Sequence, residues 1–101
     1  MRYRFRVPIW LHHGDAAWHF VTLPTDVADE IDEVMGPSRR GFGSVRVRVR
    51  IGSTTWATSV FPDSRAESYV LPVKKPVRVA EGIEAGDRVD VHLDLVDDPR
   101  S

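Results

Sequence analysis

A mainly β fold is predicted: six strands and two short helices in the order β-β-α-β-β-β-α-β, forming a small barrel or sandwich capped by the helices. Three observations predict it. Apolar and charged residues alternate with period two over residues 2–10, 45–51 and 89–95, the pattern of half-buried strands. Two segments with helix start and stop signals each follow a Leu-Pro pair, Leu23-Pro24 and Leu71-Pro72. Turn pairs such as Gly52-Ser53, Pro62-Asp63 and Gly86-Asp87 leave only tight connections between the elements.

The elements follow in order. In residues 2–10, Tyr3, Phe5 and Val7 face one way and Arg2, Arg4 and Arg6 the other. His12-His13-Gly14-Asp15 reads as a turn, and Trp18 to Leu23 as the second strand. Pro24 ends that strand, and Thr25 is expected to cap a helix from about Asp26 to Met35. Val27, Ile31, Val34 and Met35 share its inner face. Asp26, Asp29 and Glu30 load its start, where the dipole favours negative charge. Gly36-Pro37 stops it, and a loop runs to Gly43. Val45, Val47, Val49 and Ile51 alternate with Arg46, Arg48 and Arg50, and Gly52-Ser53 turns this strand into Thr54–Phe61. Ser68–Val73 is a short strand whose Pro72 implies a sheet edge or a strand end. A second helix has Pro76 near its first position and Gly82 past its end. Val89, Val91, Leu93 and Leu95 form the inner face of the last strand, against Asp90, His92 and Asp94.

Composition narrows the class. A chain of 101 residues is expected to be one domain over residues 1–101, burying roughly 65% of its extended surface. Hydrophobic residues at 42% and charged residues at 29% argue against disorder. There is no cysteine, which excludes disulfides and thiolate-held metals. No apolar run is long enough to span a membrane, and Met-Arg-Tyr-Arg-Phe-Arg lacks the apolar stretch of a signal peptide, so the cytoplasm is the expected compartment. A net charge of −1 removes any whole-molecule basic field.

A strand, Leu-Pro, helix, strand unit occurs twice, ending in Val45–Ile51 and in Val89–Leu95. The second copy has Pro76, Arg78, the pair Gly82-Ile83 and the turn Gly86-Asp87. It resembles the swapped-hairpin motif of AbrB/MazE-type transition-state regulators. Over most of its length the chain resembles the uncharacterised bacterial DUF1905 family, on Trp18 to Pro24, Gly43–Val49, Trp56-Ala57-Thr58-Ser59, Tyr69–Arg78 and Gly82–Val89 in that order. The resemblance implies a double-split β-barrel. Both halves are expected to lie in one chain, so a monomer closes its own core. It implies no activity.

The arginines make two stripes, Arg2, Arg4 and Arg6, then Arg46, Arg48 and Arg50. These can track phosphates, or they can be solvated faces paired with Asp90 and Asp94, the more ordinary outcome. His12, His13 and Asp15, and likewise Asp90, His92 and Asp94, lack the spacing of a metal motif. Alternate strand residues stand roughly 6.5–7 Å apart, too far to converge on one ion. No metal or other cofactor is expected. No nucleophile elbow, dinucleotide fingerprint or P-loop is present: Arg46 stands where a third glycine would fall, and Phe42 where a lysine would. Trp10, Trp18 and Trp56 are expected in the core or at a barrel end.

The only two lysines, Lys74 and Lys75, open the second helix, with Arg78 one turn on. Cations are misplaced at that end of a helix dipole. Together with free backbone N–H groups they would suit an anion, and Arg39 and Arg40 are candidates to join from the loop. The plainer alternative is that the lysines are solvated or pair with the acidic first helix. The expected function is therefore a non-catalytic binding or interaction module for an anionic small molecule or acidic partner. AbrB-like nucleic-acid binding is the alternative, disfavoured by the near-neutral charge. An enzyme is the second alternative, disfavoured by the missing catalytic constellation.

Overall fold

The computed structural model describes residues 2–14, 17–36 and 43–96. Its strands are β1 (Arg2–Pro8), β2 (Trp10–His12), β3 (Trp18–Thr22), β4 (Val45–Ile51), β5 (Thr54–Asp63), β6 (Ser68–Pro72) and β7 (Arg88–Leu95). Helix α1 (Thr25–Met35) joins β3 to β4, and α2 (Lys75–Glu81) joins β6 to β7. The strands form one curled antiparallel half-barrel sheet in the order β1-β7-β4-β5-β6-β3-β2.

Seven strands replace the six expected, and the order gains a strand at its start. The extra strand arises because residues 2–12 are not continuous. Tyr3, Phe5, Val7 and Ile9 keep the same inward phase, but the hydrogen-bonding partner changes at Ile9. Before it, β1 pairs with β7; after it, β2 pairs with β3. The Ile9 N–H donates to the Asp87 carbonyl (2.8 Å), and the Ile9 carbonyl accepts from the Gly86 N–H (2.8 Å). The residues expected to turn at 12–15 also divide: His12 ends β2, and Asp15 lies outside the described residues.

The repeated unit is visible in the pairing. The two strands before the helices, β3 and β6, pair with each other, and so do the two after them, β4 and β7. The bent strand β5 pairs with β4 over Thr54–Val60 and with β6 over Phe61–Asp63. The β1–β2 segment does the same on the other side, between β7 and β3. Each unit thus has one long segment that passes from one half of the sheet to the other.

The alternation sorts the faces. Val45, Val47, Val49, Val91 and Leu93 are fully or almost fully buried, while their arginine and aspartate neighbours point outward. Each such aliphatic side chain contributes about 1.5–3 kcal/mol by leaving water. The inner face of α1 closes on this core with Val27, Ala28, Ile31, Val34 and Met35 buried. Thr25 is not its cap: Pro24 holds that position with no side-chain hydrogen bond, and the Ala28 N–H bonds to the Pro24 carbonyl (3.0 Å). The helix therefore starts one residue early, which leaves only Asp26 of the acidic residues in its first turn. The Ser68 hydroxyl donates to the Leu23 carbonyl (2.6 Å), and Tyr69 bonds to Asp32, tying α1 and its start to β6.

Helix α2 has Pro76 in its first turn and ends at Gly82 in the left-handed conformation (φ 63°), as expected. The Ile83 N–H reaches back to the Arg78 carbonyl and the Gly82 N–H to Val79, which satisfies the terminal carbonyls. Pro72 ends β6, which lies inside the sheet between β5 and β3 and is not an edge. The β4–β5 turn favours glycine: Gly52 has φ 59°, and a Cβ there would lie 1.8 Å from a Glu81 carboxylate oxygen and displace it. That carboxylate accepts from Thr54 (2.5 Å), holding α2 to the turn. Among the described residues no helix is long and apolar enough to cross a membrane.

Candidate functional site

The outward surface of the sheet divides into an arginine half and an aromatic half. In the first, β7 lies between β1 and β4, so it has an arginine stripe on each side. The ladders align Arg2 with Asp94 and Arg48, and Arg4 with His92 and Arg50; Arg6 stands opposite Asp90. Arg2 pairs with Asp94 (Nε to Oδ1, 3.1 Å) and Arg6 with Asp90 (Nη1 to Oδ2, 3.3 Å). The expected pairing of the last strand with an arginine strand is thus found on the β1 side. Such exposed pairs contribute little to stability, because water and salt screen them. Arg50 donates to the Gly52 carbonyl (2.9 Å). Among the described residues Arg4, Arg46 and Arg48 have no carboxylate partner. Counting Arg88 of β7, seven arginines share this face with two aspartates, so this half of the sheet is strongly cationic although the chain as a whole carries −1.

His92 senses that field. Its pKa is lowered, first by burial and then by Arg50, Arg4 and Arg2, with Asp90 opposing. The unfolded imidazole titrates near its ordinary value of about 6.5. As the pH falls through that value, the unfolded chain takes up a proton that folded His92 declines, and stability drops. The contribution is fully present above about pH 6.5. Thermal melts are therefore expected to weaken more between about pH 7 and pH 5 in the wild type than in His92→Gln. Added salt, by screening Arg4 and Arg50, moves the His92 NMR titration upward. A titration at the ordinary value, insensitive to salt, would contradict this account.

The aromatic half is a groove of about 740 Å³ on the outward face of β2, β3, β6 and the end of β5. Trp18 stacks on Phe20 at 5.9 Å with the rings 8° from parallel. Trp10, the cross-strand partner of Phe20, lies 5.2 Å from it with the rings tilted by 40°. The Trp10 indole N–H donates to the Thr22 hydroxyl (2.9 Å), which fixes its ring. Phe61 closes the opposite wall, over a floor of Val70 and Pro72. Trp18 remains 48% exposed and Phe61 45%. The expectation that all three tryptophans lie in the core or at a barrel end is corrected here. Only Trp56 packs partly against the core. Trp18 and Phe20 have the opposite phase to Val21, which is fully buried, so alternation puts them outside. That phase was the signal in the sequence for this groove.

Lys74, Lys75 and Arg78 do come together, around a smaller hollow of about 220 Å³ that they share with Trp18, His19, Pro72 and Val73. The hollow adjoins the groove through Trp18 and Pro72. Arg78 is partly engaged: its Nε donates to the Val73 carbonyl (3.1 Å), and its Nη1 faces His19 Nε2 (3.3 Å). Lys74 and Lys75 are exposed and have no carboxylate partner among the described residues, so they do not pair with α1. Helix α2, at about two turns, adds little dipole of its own. Arg39 and Arg40 lie outside the described residues. Among the described residues no group of three or more His, Asp or Glu is placed to hold a metal ion.

A family model described as "Domain of unknown function (DUF1905)" matches residues 5–93. No curated protein matches the chain.

Proposed function

The chain belongs to the DUF1905 family, and from that premise we propose that it is a small, non-catalytic binding module whose ligand seats in the aromatic groove. The ligand has a planar ring for Trp18, Phe20 and Phe61 and an anionic group for Lys74 and Lys75. Arg78 holds the β6–α2 junction through Val73 and His19 and adds its charge. Arg39 and Arg40 remain candidates for the same anion. We read the fold as one double-split barrel domain over residues 1–101, related in architecture to AbrB-type proteins. It works as a cytoplasmic monomer. The internal pairing of β3 with β6 and of β4 with β7 supports closure within a single chain.

One observation carries the binding reading: Trp18 is stacked on Phe20 and still 48% exposed. A solvent-facing indole over an apolar groove gains by covering its open face, and aromatic pairs add about 0.5–1.5 kcal/mol beyond area burial. Cations at one end of such a groove select ligands that combine a ring with a negative charge.

The test is an NMR titration with adenosine monophosphate as a ring-plus-phosphate probe and adenosine as its uncharged counterpart. The indole N–H signals of Trp10 and Trp18 are expected to shift saturably while that of Trp56 stays. Adenosine binds more weakly, and Lys74→Ala/Lys75→Ala abolishes the difference between the two probes. Equal shifts at all three indoles, or none, would overturn the reading.

A further inference from the structure

The arginine half and the aromatic half are not separate surfaces. They meet on β5, whose outward residues continue from Ser59 to Phe61. Arg46 stands opposite Ser59, and Phe61 follows two residues on along the same face of β5, just past the end of the β4–β5 ladder at Val60. The arginines of β4 that lack a carboxylate partner among the described residues thus share the outer face of the sheet with the exposed rings, and β5 connects the two. We propose that this continuous outer face binds a single strand of nucleic acid. Its phosphodiester backbone crosses Arg4, Arg48 and Arg46, and its bases stack in the groove against Phe61 and Trp18. The base contacts rest on the groove reading above; the backbone contacts rest on the arginine lattice alone.

Charge selects the occupant. Arg4, Arg46 and Arg48 lack carboxylate partners among the described residues, and Arg50 gives one N–H to its own turn. A hollow of about 340 Å³ lies among Arg4, Arg6, Arg50 and Arg88, with Glu81 and Asp90 also on its rim. Of its acidic rim groups Asp90 is paired with Arg6, while Glu81, bonded by the Thr54 and Ser53 hydroxyls, keeps its negative charge against the four arginines. The pKa of His92 is lowered first by burial and then by Arg50, Arg4 and Arg2, against Asp90, which agrees with a positive field on this face. Alternate arginines on a strand repeat at roughly 6.5–7 Å, a regular series of point contacts suited to a repeating anion.

The second copy of the chain that could cover this face would bring the exposed acidic side of α1, which offers carboxylates but no rings. Nucleic acid offers both chemistries in alternation. A duplex hides the faces of its bases, whereas a single strand presents them to aromatic side chains. The combination of cationic ladder and open rings therefore favours the single strand.

The experiment follows the fluorescence anisotropy of a labelled oligodeoxythymidylate of about ten nucleotides, within the usual site size, over a range of salt concentrations. Single-strand binding through three phosphate contacts gives a log–log salt slope of about −2. Arg4→Gln/Arg46→Gln/Arg48→Gln keeps much of the apolar stems and is expected to flatten that slope and to weaken binding at least tenfold at low salt. Trp18→Ala and Phe61→Ser are each expected to weaken binding about tenfold, the loss of a base stack, with the slope unchanged. The matching duplex binds more weakly and ignores both aromatic variants.

Three results would overturn the proposal. The oligonucleotide does not bind at low salt. Single strand and duplex bind alike through the arginines, with no effect of the aromatic variants. Or sedimentation shows the arginine face occupied by the acidic helix of a second copy. If adenosine monophosphate shifts Trp10 and Trp18 while the oligonucleotide fails to bind, the groove reading stands and the strand proposal falls. If the indoles stay still while arginine-dependent binding persists, the groove reading has failed and the base contacts with it.

Discussion

Val47→Asp is expected to leave the chain largely unfolded at neutral pH, while Arg48→Asp, one residue along, leaves it folded. Val47 is fully buried at the centre of β4, between Thr58 of β5 and Leu95 of β7. The substitution removes a buried aliphatic group, about 1.5–3 kcal/mol. It also places a carboxylate among apolar neighbours with no cation to meet it, which costs several kcal/mol more. The sum reaches the total stability of a domain this size, about 5–15 kcal/mol. Arg48 points into solvent on the opposite face, and its replacement is expected to change stability by about 0.5 kcal/mol or less. The pH response separates a buried charge from mere loss of volume. Burial raises the folded-state pKa of the new carboxyl above its unfolded value of about 3.9. The folded form therefore binds the proton more tightly, and stability recovers as the pH falls towards that value. Far-UV circular dichroism at pH 7 and at about pH 4.5 measures both effects. Val47→Ala, with its cavity but no charge, is expected to lose about 2 kcal/mol without that rescue. A Val47→Asp protein that melts like the wild type would mean that the inward phase of β4 has been misassigned.

That phase was legible because on β1, β4 and β7 the two faces have opposite chemistry. A valine-arginine alternation leaves no ambiguity about which side meets water. The β5–β6 turn was less legible: Pro62 and Asp63, expected to turn, still pair with β6, and the turn falls on residues 64–67 with Glu67 at φ 51°. The helix α2 was legible for the same local reason, with Pro76 at its start and Gly82 at its stop. What escaped the sequence depends on distant partners. Ile9 continues the apolar alternation of Tyr3, Phe5 and Val7, so only Pro8, which has no N–H to give to a ladder, marks the point where the chain leaves β7 for β3. Trp18 and Phe20 have the outward phase, yet a large apolar ring on an outward position reads as core until a neighbouring element shows otherwise. Here Phe61 and Val70, from remote parts of the chain, turn those rings into one wall of a groove. Lys74, Lys75 and Arg78 could be grouped from the sequence because they share one turn; the Trp18 and His19 beside them could not. The arginine stripes could be counted, but only the strand order shows that both flank β7 and that its two carboxylates are used by the β1 side.

The second large effect is expected at Ile9. Ile9→Ala should cost about 2–5 kcal/mol, the range for removing a fully buried branched side chain, and should lower the melting temperature by roughly 10 °C or more. The side chain is 1% exposed, and the backbone around it is bonded on both sides to the Gly86–Asp87 turn. It is where the N-terminal segment passes from one half of the sheet to the other. Its counterpart in the second unit is the bend of β5 at Val60, which is also fully buried. The two crossings differ in one respect. Around Val60 the ladder continues through the bend, from β4 pairing into β6 pairing. At Ile9 two bonds to a turn are all that bridge the gap between β1 and β2. Loss of the side chain there leaves a cavity with little regular structure to close over it. Hydrogen exchange in Ile9→Ala is therefore expected to speed up in β1 and β2 before β4 and β5 respond, as a local opening and not a global one. Val60→Ala, with its ladder intact, should raise exchange evenly across the sheet. If Ile9→Ala costs less than about 1 kcal/mol, or if β4 and β5 open together with β1, the side chain at this crossing does not hold the two halves together and the paired turn alone must.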